Sequence, residues 1–155
     1  MPGDPSLHAP PHPGHCSLAI PITGERDVMH AARKARQMAE HLGFSRAQAY
    51  HVATATSELT SNMAVHAGGG TLHLRPLIDT DGTVTGLELK AEDQGPGIAD
   101  LELAMTDGYS TARRLGCGLP GASRLMDEFS IRSTPGQGTR IKAIKWRHSR
   151  PADRS

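Results

Sequence analysis

Glu58, Asn62 and His66 stand four residues apart, a spacing that stacks side chains on one face of an α-helix. That face lies beside the stripe formed by Val52, Thr56, Leu59 and Met63, not on it. A carboxylate and a carboxamide then point together into whatever the helix lines. The pair suits phosphoryl transfer. An Asn oxygen is a neutral hard ligand for Mg²⁺, and a nearby Glu orients an attacking hydroxyl and takes its proton. Taken alone, the same spacing also describes a solvated helix face. His66 is read as structural.

Three further strings carry possible chemistry. Asp93-Gln94-Gly95-Pro96-Gly97-Ile98 follows an apolar run. An Asp at a strand end, with two glycines that let the backbone turn tightly, can accept a hydrogen bond from an exocyclic amine such as adenine N6; an Asp-capped Gly-Pro turn explains the segment as well. Leu115-Gly116-Cys117-Gly118-Leu119-Pro120-Gly121 opens onto a run of helix formers, where freed backbone amides at a helix N-terminus make a phosphate cradle. It is neither a Walker loop nor the Gly-x-Gly-x-x-Gly of a crossover helix. Gly136-Gln137-Gly138-Thr139 reads first as a hairpin turn. The four strings in this order are far more specific than any one of them.

The elements that must position these residues follow from periodicity. Ser17 to Ile22 predicts a first strand, and Val28, Ala31, Ala32, Ala35, Ala39 and Leu42 recur at helical spacing up to Gly43. Ser45 is an N-cap for a second helix to about His66, which Gly68-Gly69-Gly70 ends. Thr71–Ile78 and Thr83–Glu92 predict a hairpin around Asp81-Gly82, and Ser130–Thr134 with Thr139–Trp146 a second, preceded by a short helix over Leu119–Glu128. Helices in a run beside antiparallel hairpins predict an α+β two-layer sandwich, its mixed, mostly antiparallel sheet covered on one face.

Composition sets limits. With 17 Lys and Arg against 16 Asp and Glu, the charge of +1 gives no bulk attraction to nucleic acid or anionic membrane. Aromatic residues are 3% of the chain, too few for a base-stacking surface. No apolar run reaches the length of a membrane span and no signal peptide is evident, and two isolated cysteines, Cys16 and Cys117, fit a reducing cytoplasm. One domain is expected over residues 17–147, between a Pro/His-rich disordered arm at 1–16 and a frayed tail at 148–155. His8, His12, His15 and Cys16 lack the fixed backbone that a specific metal site needs.

The ordered strings resemble the GHKL ATP-binding superfamily and, within it, the small anti-sigma-factor type of serine/threonine kinase. Ala91–Ile98, Asp107-Gly108-Tyr109-Ser110-Thr111, Gly118–Gly121, Arg124–Phe129 and Lys142–Trp146 are most similar to the RsbT-type switch kinases, and the likeness covers about residues 17–147. The resemblance implies a Bergerat-type ATP pocket in which Glu58 is the catalytic base and Asn62 holds Mg²⁺. Asp93 would bind the adenine amine, with Gly95 and Gly97 letting the backbone close, Ile98 beside them and Thr139 assisting. Gly116, Gly118 and Gly121 would meet the phosphates, with Leu119 among the nucleotide contacts. A lid would run from about Ala99 to Leu115. Where relatives often carry a glycine-rich run, this chain has Ala112-Arg113-Arg114, and Arg113 or Arg114 would reach the γ-phosphate.

The same resemblance implies partners: a STAS-domain protein phosphorylated on Ser or Thr, and the N-terminal domain of a PP2C-type phosphatase activated by binding, upstream of a sigma factor. The alternatives are an anti-sigma kinase that binds a sigma factor directly, and a docking module without catalysis.

Overall fold

The computed structural model describes residues 17–97 and 118–147. The two terminal arms, the expected lid and the residues Ile98, Arg113, Arg114 and Gly116 lie outside them. Along the described chain run β1 (Leu18–Ile22), α1 (Glu25–His41), α2 (Arg46–Ala67), β2 (Gly70–Ile78), β3 (Val84–Asp93), α3 (Gly118–Leu125), β4 (Glu128–Thr134) and β5 (Gly138–Trp146).

Each helix has a local cause. At the start of α1, Asp27 Oδ2 accepts from both the backbone N–H and the hydroxyl of Thr23, each at 2.7 Å. The Thr23 hydroxyl, with its N–H, holds this carboxyl below the usual range. Helix α2 begins in a capping box: the Gln48 N–H donates to Ser45 Oγ at 3.1 Å, and the Ser45 N–H donates to Gln48 Oε1 at 2.9 Å. It ends at Gly68, whose φ of 74° is a left-handed cap. Two polar residues on its buried side are satisfied within the helix, since the hydroxyls of Thr56 and Thr60 donate to the carbonyls four residues back, at 2.8 and 2.7 Å.

The five-stranded sheet has the order β1-β2-β3-β5-β4. All its pairings among the described residues are antiparallel, where a mixed but mostly antiparallel sheet was expected. The inward faces carry Leu72, Leu74, Leu87, Leu89, Ile141 and Ala143 against Val52, Leu59 and Met63 of α2. Burying each such large side chain contributes about 1.5–3 kcal/mol. Alanines 31, 35 and 39 of α1 and 49 and 55 of α2 are all buried, and their small size lets the two helices approach closely. The opposite face of the sheet is charged, with Arg75 on Glu88 at 3.2 Å and Arg140 on Glu92 at 3.3 Å, as one solvated face of an antiparallel sheet requires.

Helix α3 stops at Leu125, short of the expected Glu128. The Asp127 N–H donates to the Ile144 carbonyl at 2.8 Å, and Asp127 Oδ2 accepts from the Trp146 N–H at 2.7 Å. Pairing with β5 therefore starts β4 at Glu128, two residues ahead of Ser130.

Candidate functional site

Glu58 lies on α2, only 7% exposed, and its Oε2 accepts a 2.7 Å hydrogen bond from the backbone N–H of Gly118. Gly118 is the first residue of α3 and has a φ of 69°, the left-handed region that glycine tolerates. One turn along α2, Asn62 is half-buried, and no described residue hydrogen-bonds its carboxamide. His66, a further turn on, is exposed.

The second part of the site is built on Asp93, the last residue of β3, which is 8% exposed. Its Oδ1 accepts from the Gly95 N–H at 2.9 Å and from the Thr139 N–H at 3.2 Å. No described residue donates to its Oδ2. One oxygen is thus fixed by the backbone and the other is left to accept from something else. Asp93 also lines a cleft of about 400 Å³ with Ala67, Thr71, His73, Glu92 and Gln94.

The glycine-rich turns are tied to one another. The Gly136 N–H donates to the Pro96 carbonyl at 2.7 Å, which joins the loop after β3 to the β4–β5 hairpin. A Cβ at Gly95 would stand 2.5 Å from that of Ala67, the last residue of α2, so only glycine lets the loop lie against the helix. At Gly138 (φ 93°) a Cβ would collide with the Asp93 carbonyl oxygen. Gly136-Gln137-Gly138-Thr139, which its own sequence explains as a turn, therefore packs on the Asp93 loop.

Residues 23–145 match the model of the histidine kinase-like ATPase domain family. The chain belongs to that family. It is 45% identical over 127 residues to the serine/threonine-protein kinase RsbT of Bacillus subtilis, covering 82% of this chain and 94% of that relative. It is therefore an RsbT-type serine/threonine kinase, with use of a nucleotide implied by the ATPase domain. An anti-sigma F factor from Caldanaerobacter subterraneus subsp. tengcongensis is 34% identical over 101 residues, 61% of this chain and 68% of the relative. Among solved structures, the RsbU and RsbW domains of a Mycobacterium tuberculosis protein superpose with a TM-score of 0.59 at 18% identity, over 88% of this chain and 33% of that one. The SiaB–SiaC complex of Pseudomonas aeruginosa gives 0.51 at 13% identity, over 83% of this chain and 89% of that one. At these identities the structures share the fold alone.

Among the expected site residues, the RsbT-type fold brings Asp93, Gly95, Gly97 and Thr139 into one node and Glu58 against Gly118. Leu119 follows Gly118 in the first turn of α3. Its side chain is buried in the hydrophobic core, because it falls on the inner side of the first turn of α3, so only its backbone could meet a phosphate. Gly121 is buried in the same turn. Ser133 was missed: its Oγ lies 2.8 Å from Thr139 Oγ1, fixing that hydroxyl. The signal was available, since Ser133 stands opposite Thr139 in the hairpin register. Among the described residues no group of His, Cys, Asp and Glu is set to hold a metal ion, and no helix is long and apolar enough to cross a membrane.

Proposed function

We propose that this kinase phosphorylates Ser or Thr on a STAS-domain antagonist or scaffold, acting in the cytoplasm as a partner switch that also activates a PP2C-type phosphatase upstream of a sigma factor. The observation that carries the site assignment is the placement of Glu58 and Asn62 on successive turns of the helix whose last residue, Ala67, abuts the Asp93 loop through Gly95. Ala67 and Glu58 are separated by about 13 Å along the helix axis. Adenine and the transferred phosphate can occupy opposite ends of that length.

In this reading Asp93 Oδ2 accepts from the adenine amine, while Oδ1 stays with the two backbone N–H groups. Gly97 and Thr139 border the base. The backbone at Gly118, Leu119 and Gly121, with Gly116, Ile98 and Arg113, completes the nucleotide contacts. The carboxamide of Asn62, to which no described residue hydrogen-bonds, is chemically fit for Mg²⁺, a hard cation commonly held by one or two protein ligands and the substrate phosphates. Mg²⁺ bound there would neutralise charge on those phosphates. Glu58 orients the acceptor hydroxyl and receives its proton. Phosphorylating the partner adds a charge of about −1.5 to −2, which loosens the docked complex by repulsion and releases the kinase.

The test is transfer of labelled γ-phosphate to STAS proteins encoded beside this chain, with Glu58→Ala and Asn62→Ala as comparisons. Label on a Ser or Thr of one partner, lost in both variants, supports the reading. Nucleotide binding without transfer, alongside phosphatase activation, would make the protein a docking switch. A second reading, direct binding of a sigma factor, is favoured by the similarity to an anti-sigma F factor and is tested by a pull-down with purified sigma factor.

A further inference from the structure

The connection of residues 42–45 folds α2 back along α1, and the two helices pack extensively. Between them on the outer surface opens a cleft of about 360 Å³, lined by Ala32, Arg33, Arg36, Tyr50, Ser57 and Glu58 among others. Its lining thus includes the proposed base. Tyr50 is 59% exposed, and Met29, one turn before Arg33 on the same side of α1, is 69% exposed. Glu58, the one carboxylate among the described lining residues, is held by the Gly118 N–H. Arg33 and Arg36 are exposed and form no ion pair among the described residues.

We propose that this cleft is the docking track for the acceptor segment of the protein substrate, and that Arg33 and Arg36 select a Ser or Thr flanked by acidic residues. The inference deepens the kinase reading and rests on it for the role of Glu58. Two exposed guanidiniums beside an exposed tyrosine are the residue types that anchor protein interfaces. With no carboxylate paired to them among the described residues, their charge matches an acidic segment, not a basic one. Tyr50 lies eight residues before Glu58 on α2, about 12 Å along the axis. An extended peptide rises about 3.3 Å per residue, so the acidic positions fall within about four residues of the acceptor hydroxyl. An acceptor entering along this cleft reaches Glu58 from the helical surface.

The experiment uses the full chain and fluorescein-labelled 13-residue peptides with a central Ser or Thr, flanked on either side by Asp and Glu, by Gln, or by Lys. Binding is read by fluorescence anisotropy and transfer by labelled γ-phosphate, for wild type, Arg33→Gln/Arg36→Gln and Arg33→Glu/Arg36→Glu. Wild type is expected to prefer acidic over Gln-flanked peptides by about tenfold. The glutamine pair should erase the preference and the glutamate pair should invert it towards Lys, with ATP affinity unchanged in both. Absence of measurable binding, equal binding of all three peptide classes, or a preference that survives charge reversal overturns the docking inference. Charge-dependent binding that both pairs alter as expected, but without transfer of label to any peptide, leaves the docking inference standing and removes the proposed role of Glu58 as base for a segment held in this cleft.

Discussion

Glu58 Oε2 and the Gly118 N–H meet at 2.7 Å although sixty residues separate them in the chain. The bond links the middle of α2 to the first residue of α3 and orients the carboxylate that is proposed to take the acceptor proton. Replacing Glu58 in two ways separates these roles. Gln keeps an oxygen for the Gly118 N–H but cannot accept a proton at neutral pH. Glu58→Gln should therefore retain wild-type stability and ATP binding while slowing phosphoryl transfer by about 10²–10⁴-fold. Glu58→Ala should also lose about 1–3 kcal/mol of stability, because it strands a buried donor. Urea denaturation beside single-turnover transfer reads both; an active Gln variant would remove Glu58 from the chemistry.

Asp93 allows a similar dissection. Since Oδ1 is claimed by two backbone N–H donors, an asparagine must keep its oxygen there and turn its NH₂ to the Oδ2 position. That replaces an acceptor with a donor facing the adenine amine. Asp93→Asn should fold normally and bind ATP about 10- to 100-fold more weakly, equivalent to about 1.4–2.8 kcal/mol. Titration calorimetry with ATP measures it. Unchanged affinity would place the adenine elsewhere.

Gln48 is both a capping-box residue and a tertiary clamp. Besides its bond with Ser45, its Nε2 donates to the carbonyls of Trp146 at 3.2 Å and Arg147 at 3.0 Å, tying the start of α2 to the end of β5. Gln48→Ala should cost about 1–3 kcal/mol, more than a cap alone. A loss below about 0.5 kcal/mol in chemical denaturation would show that water replaces these bonds.

His51 makes stability depend on pH near neutrality. Its Nδ1 is buried without a hydrogen-bond partner among the described residues. Burial, and then the nearby Lys145 cation, depress its pKa below the ordinary 6.5, with Asp127 opposing them only in part. The unfolded chain therefore takes up the proton first, and this contribution to stability, complete above about pH 6.5, is lost as pH falls below it. His51→Leu removes that titration. The difference in unfolding free energy between variant and wild type should shift in favour of the variant between pH 7.5 and 5.5. A difference independent of pH would mean that His51 titrates normally.

The sequence by itself determined the elements and the chemistry they could carry. Helical spacing put Glu58 and Asn62 on one face, Ser45 marked the start of α2, and Asp81-Gly82 marked the turn of the first hairpin, which closes on hydrogen bonds from the N–H groups of Asp81 and Thr83 to Asp79 Oδ1, at 3.1 and 3.0 Å. These are short-range matters of dihedral preference and period, which a few neighbouring residues decide. Only the tertiary structure decided that Glu58 reaches Gly118, that Asp93 holds Thr139 from 46 residues away, and that Leu119 turns into the core. It also decided that Arg33, Arg36 and Tyr50 border a cleft beside Glu58. Those outcomes depend on how the three described helices settle on one face of the sheet, and side-chain volumes summed across the whole core set that packing.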